Sequence, residues 1–66
     1  MNFFEFNKKD YEYFVDQCML NEEYAKLLEM KIKGYSRTKM AMQLNVSEPT
    51  LDIMIKELKK KIKRII

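Results

Sequence analysis

Apolar residues recur along this chain at three- and four-residue intervals, in four stretches separated by short polar breaks. Tyr11, Phe14, Val15, Cys18 and Met19 form the first stripe and predict a helix over about 8–20, with Asn7 as its N-cap. The preceding Phe3, Phe4 and Phe6 are expected to fold back over the core or to extend that helix. A second helix is predicted over about 22–33. Asn21 caps it, Glu22 and Glu23 suit the positive end of its dipole, Lys31 and Lys33 suit the other end, and Gly34 stops it in the left-handed conformation. Ala25, Leu28 and Ile32 line one side, with Leu27 beside them.

A third helix is predicted over about 37–44, capped by Ser36, with Met40, Ala41 and Leu44 facing inward. After the break Asn45-Val46-Ser47, a fourth is predicted over about 48–64. Ser47 caps it, and Pro49 lies in the first turn, where a missing N–H costs nothing. Leu51, Met54, Ile55, Leu58 and Ile62 give it a long apolar stripe. Gly34 and Pro49 are the only glycine and proline, too few breakers for an all-β fold, so the pattern predicts an all-α four-helix bundle. With 66 residues it is a single domain with a thin core, divisible into an N-terminal helix and arm (1–21) and a module over 22–66.

The spacing between the last two helices is specific. Two helices joined by three or four residues and crossing at a steep angle make a helix-turn-helix. Ala41 is small where the second helix must pass, and Leu44 and Val46 are apolar on either side of the turn. Asn45 tolerates the left-handed backbone needed to leave a helix, and Leu51 and Met54 take the next inward positions. Together with a cap on each helix, these six positions predict the motif over residues 36 to about 62.

The stretch from Gly34 to Leu51, with its glycine and aromatic, its capped helix carrying an inward alanine, and the turn Leu44-Asn45-Val46-Ser47-Glu48-Pro49-Thr50-Leu51, resembles the four-helix helix-turn-helix superfamily that contains sigma factor region four and the LuxR-type regulators. The resemblance covers about residues 22–64 and leaves the N-terminal 20 residues unmatched. It implies that the helix after Ser47 lies in the major groove of DNA. On that docking, Glu48, Thr50, Ile53 and Lys56 are the expected base-reading positions, with Thr50 or Ile53 placed to pack on a thymine methyl. Ser36, Arg37, Lys39 and Ser47 are the expected phosphate contacts, because the preceding helix crosses the backbone. Lys59 and Lys60 extend that set, although they and Lys61, Lys63 and Arg64 equally fit a solvated face. Glu48 and Thr50 likewise fit a purely stabilising role at the helix start. Five neutralised phosphates would give a log–log salt slope near −4 to −5.

Charge changes the picture by its distribution. Residues 1–30 carry seven acids and three lysines, net −4, while residues 31–66 carry ten bases and three acids, net +7. The C-terminal half is thus expected to face a polyanion, with an ordinary Lys-rich surface as the alternative. The sequence contains no histidine, and Cys18 is its one cysteine, which removes the usual constellations for metal binding and catalysis. Cys18 reads as a small buried apolar residue. The Met residues and aromatics are expected in the core. The four Phe and Tyr11 sit in the acidic half without basic partners, so no stacking platform for single strands is expected.

The expected function is therefore non-enzymatic, sequence-specific double-stranded DNA binding by a small cytoplasmic transcriptional regulator. A homodimer is expected, since one reader helix gives limited specificity, and no cofactor or metal is called for. The alternative is a protein-interaction module of the same fold that binds RNA polymerase or another regulator, which the acidic N-terminal half, Asp52 and Ile53 favour. A membrane-surface helix is disfavoured. The stripe of Ile55, Leu58, Ile62, Ile65 and Ile66 beside lysines is also what a fourth helix needs to close a bundle.

Overall fold

The computed structural model describes residues 4–66 and contains α1 (Lys8–Gln17), α2 (Glu22–Lys33), α3 (Arg37–Leu44) and α4 (Glu48–Lys63). Each helix begins on the cap that its sequence supplies. The side chains of Asn7, Asn21, Ser36 and Ser47 accept hydrogen bonds from the backbone N–H groups of Asp10, Tyr24, Lys39 and Thr50. At α1 the cap is reciprocal, since the Asp10 carboxylate accepts from the Asn7 N–H at 3.0 Å.

The first three helices end in one way. Leu20, Tyr35 and Val46 donate their backbone N–H groups to Val15, Met30 and Ala41 at 3.1, 3.0 and 3.0 Å. The residue before each donor is left-handed: Met19 (φ 50), Gly34 (φ 81) and Asn45 (φ 57). A second bond joins each left-handed residue to a carbonyl three positions back. This double closure satisfies carbonyls that the helix leaves unpaired, and it turns an apolar residue back onto the core. Leu20, Tyr35 and Val46 all pack there, half-buried.

The core joins all four helices. Leu27 and Leu28 of α2, Met40 of α3, and Leu51, Leu58 and Ile62 of α4 are fully buried, with Phe14 and Phe4 nearly so. Helix α2 packs on α1, α3 and α4, and α3 packs on α4. No buried side-chain polar atom among the described residues lacks a hydrogen-bond partner. No helix among them is long and apolar enough to cross a membrane.

Several sequence expectations need correction. Helix α1 stops at Gln17 rather than near residue 20, and Met19 leaves the apolar stripe to stand 87% exposed. The cause is the left-handed closure, which swings its side chain away from the helix face. Met42 is also exposed, so the methionines among the described residues divide: Met30, Met40 and Met54 are core, and Met19 and Met42 are surface. Tyr13 is half exposed, so not every aromatic is core. In α2, Met30 is buried with Leu27 and Leu28, while Ala25 and Ile32 lie half-buried at the edge. Leu44 and Ile55 do face inward, half-buried and packed against the core. Phe4 does fold back over the core at 2% exposure and Phe6 packs beside it, whereas Phe3 lies outside the described residues. Phe4 is not without basic partners, because the Lys31 and Lys59 ammonium groups sit 5.1 and 5.9 Å from its ring centre. Burial, with the Lys59 charge next, lowers the Lys31 pKa below its usual range.

Candidate nucleic-acid interface

The connection between α3 and α4 is residues 45–47, short enough to hold the two helices in a fixed relation. Ala41 is buried at this junction, as its small side chain permits, and Leu51 and Met54 are buried beneath the start of α4. The opposite face of α4 is open. Pro49, Asp52, Ile53, Lys56 and Lys60 are exposed at helical spacing, and Ile53 shows 62% of its surface.

Of the expected base-reading residues, Ile53 and Lys56 stand together on that open face. Thr50 and Glu48 are exposed in the first turn but engaged. The Ser47 hydroxyl donates to Thr50 Oγ1 at 2.9 Å and accepts from the Thr50 N–H at 3.3 Å, so Thr50 is held within the helix cap. Glu48 Oε1 lies 3.9 Å from the Arg37 guanidinium.

The expected phosphate contacts divide more sharply. Arg37 donates Nε to Asp52 Oδ1 at 3.1 Å and NH2 to Asp52 Oδ2 at 2.7 Å, a two-pronged bridge from α3 to α4. Ser36 Oγ is used as a cap, accepting from the Lys39 N–H at 3.2 Å. The Lys39 ammonium rests over the Tyr35 ring at 4.2 Å. Lys60 is exposed on the open face, whereas Lys59 is half-buried and directed over Phe4.

Sequence spacing missed three features. The Arg37–Asp52 bridge joins residues 15 apart on different helices, and no helical periodicity reports such a pair. The Lys39–Tyr35 contact is an i, i+4 pair that crosses a helix start and was legible in principle. The exposed Met42 stands beside a cleft lined by Thr38, Ala41, Asn45, Val46 and Glu48. Among the described residues, no group of three His, Cys, Asp or Glu residues could hold a metal ion. Comparison of the chain with family models, curated proteins and solved structures returns no match.

Proposed function

We propose that this chain is a small, non-enzymatic DNA-binding protein of the helix-turn-helix type, similar to sigma factor region four and the LuxR-type regulators, with α4 as its reader helix. The observation that carries the reading is the exposed face of α4, where Ile53, Lys56 and Lys60 project in line beyond a short, capped turn. Ile53 offers an apolar contact suited to a thymine methyl, and Lys56 offers a donor for guanine or a phosphate. Two copies on a palindromic site, acting in transcription regulation, would give the specificity that one short helix lacks.

The Arg37–Asp52 bridge modifies the electrostatics of this reading. With Arg37 paired and Lys59 turned aside, Lys39, Lys56 and Lys60 remain as the principal phosphate contacts. The log–log salt slope should then be near −3 rather than −5. Selection from a random duplex library tests the proposal. A palindromic consensus bound with that salt dependence supports it, and no binding to any duplex at low salt overturns it.

A second reading is a protein-interaction module of the same fold that binds RNA polymerase or another regulator. It is favoured by Glu48 and Asp52, two carboxylates at the start of the reader helix that repel phosphates wherever Arg37 does not neutralise them. Retention of a polymerase subunit by a chain that ignores DNA distinguishes it.

A further inference from the structure

Asp52 is the acid that stands beside Ile53 on the open side of α4, one turn before Lys56, with its side chain 52% exposed. Lys56, four residues on, is the usual helical partner for such an acid, yet Asp52 is paired across the turn with Arg37 instead. Each carboxylate oxygen takes one N–H, Oδ1 from Nε at 3.1 Å and Oδ2 from Nη2 at 2.7 Å. An ionised carboxylate has about four acceptor sites, so about two stay open while the guanidinium fixes its plane. The charge balance matters as much as the geometry. Among the exposed charged groups of α3 and of α4 as far as Lys60, the cations Arg37, Lys39, Lys56 and Lys60 outnumber Glu48, Asp52 and Glu57 by one. The bridged pair adds nothing to that sum, and Glu48 lies 3.9 Å from the same guanidinium.

We propose that Asp52, held in place by Arg37, reads a cytosine beside the thymine met by Ile53. This rests on the DNA-binding reading and adds to it a base and the residue that recognises it. An ionised carboxylate only accepts, so among the base edges of the major groove it fits the amino donors of cytosine and adenine and is repelled by the acceptors of guanine and thymine. The two amino donors differ in their neighbour. Adenine sets the N7 lone pair beside N6, which repels the second carboxylate oxygen, whereas cytosine sets a C5–H beside N4. Asp52 and Ile53 are consecutive, so the cytosine and the thymine are neighbours in the site. Arg37 is a positioning residue. Its two parallel bonds fix the direction of the open acceptor sites, and its charge lets an acid approach the groove without adding net repulsion against the phosphates.

The test compares selection from a random duplex library by the full chain and by its variants Asp52→Ala, Asp52→Asn and Arg37→Lys. The parent should select a cytosine beside its thymine. Asp52→Ala should lose that preference and no other, and Asp52→Asn should shift it toward adenine, whose N6 and N7 suit an amide. In direct titration, N4-methylcytosine keeps its pairing hydrogen and caps the one that faces the major groove. It should weaken the parent about tenfold and leave Asp52→Ala unaffected. On duplexes without that cytosine both Asp52 variants should bind at least as tightly as the parent, since Arg37 is released from Asp52, and this separates a lost contact from a lost fold. Arg37→Lys keeps the charge without the two-pronged geometry, so it should bind unrelated duplexes like the parent while discriminating less against N4-methylcytosine. Unchanged discrimination in Arg37→Lys overturns the positioning role. A selected site with no cytosine there, or an N4-methylcytosine penalty that persists in Asp52→Ala, overturns the inference and leaves the DNA-binding reading standing. No binding to any duplex at low salt overturns both.

Discussion

Arg37 at the start of α3 grips Asp52 in the second turn of α4 through two parallel contacts of 3.1 and 2.7 Å. Both side chains are about half exposed, so the bridge adds at most roughly 1 kcal/mol to stability. On the proposed docking its larger effect is electrostatic, because it cancels an acid on α4 and withdraws a cation from the residues proposed to face phosphates. Asp52→Asn should therefore release Arg37 from its two-pronged carboxylate partner, leaving only Glu48 at 3.9 Å, while keeping the fold intact. Fluorescence anisotropy against duplex DNA across a salt series should show tighter binding and a slope steeper by about 0.9. An unchanged slope in Asp52→Asn and also in the double variant Glu48→Gln, Asp52→Asn would mean that Arg37 faces no phosphate.

The three left-handed helix ends predict opposite signs for similar substitutions. An added Cβ at Gly34 meets nothing within 4 Å, so Gly34→Ala carries only the backbone penalty of φ 81, about 1–2 kcal/mol. Gly34→Asn should cost less, since Asn tolerates this region. Asn45→Val places a β-branched residue at φ 57 and should cost at least as much as Gly34→Ala. Met19→Gly should stabilise by up to about 1 kcal/mol. Urea unfolding with a common m-value measures all four.

Much of the fold was legible because its signals are local. Asn21 with Gly34, and Ser36 with Asn45, bracket α2 and α3, and the structure puts both helices on the residues predicted from the sequence. The end of α1 was not legible. Its stop is a methionine, a residue with no left-handed preference, and the closure becomes favourable through the burial of Leu20 that it permits. The same holds for surface chemistry. Lys56 and Ile53 could be placed outward by counting around α4. The fates of Arg37 and Lys59 depend on Asp52 and Phe4, which only the tertiary packing brings to them.

Phe4 predicts how far the arm contributes to stability. It is 2% exposed, with lysine ammonium groups from α2 and α4 near its ring. Phe4→Ala should cost about 3–5 kcal/mol, a large part of the stability of so small a domain. Phe4→Leu keeps most of the burial and should cost less, losing chiefly the cation–ring attraction of about 0.5–1 kcal/mol per pair. Thermal melts followed by circular dichroism should rank the three chains in that order.

Ionisation of Cys18 at alkaline pH should loosen its contact with the Lys61 carbonyl of α4. The Cys18 thiol donates to the Lys61 carbonyl at 3.4 Å, and burial raises its pKa above the usual value of 9.0 while the Lys61 charge pulls it down. A raised folded-state pKa contributes stability that is complete below the unfolded value and is lost as pH rises through the folded one. Tyr11, raised by burial and then by Glu29, acts with the same sign in a window that starts higher. Lys31 is lowered, so it opposes them: its charged form is disfavoured in the fold, and deprotonation relieves that penalty. The Cys18 contribution should therefore begin to fall above about pH 9, and the difference in stability between the parent and Cys18→Ala, which cancels the Lys31 effect, should shrink as pH rises through that window. Alkylation of the native thiol by iodoacetamide at pH 8 should be slower than that of a free cysteine.

Ile53 and Lys56 stand one turn apart on the open face of α4, yet the proposed function gives them different work. A lysine that meets a phosphate contributes equally at every sequence and carries salt dependence, whereas an isoleucine on a thymine methyl contributes only where the thymine is present. Lys56→Ala should weaken binding to selected and unrelated duplexes alike and flatten the salt slope by about 0.9. Ile53→Ala should leave the slope and the unrelated duplexes unchanged while weakening the selected site by roughly 1 kcal/mol. Replacing the contacted thymine with uracil in the selected duplex should produce the same loss in the parent chain and no further loss in Ile53→Ala. Equal losses on every duplex from both substitutions would instead place Ile53 over the backbone, with sequence read elsewhere on the protein.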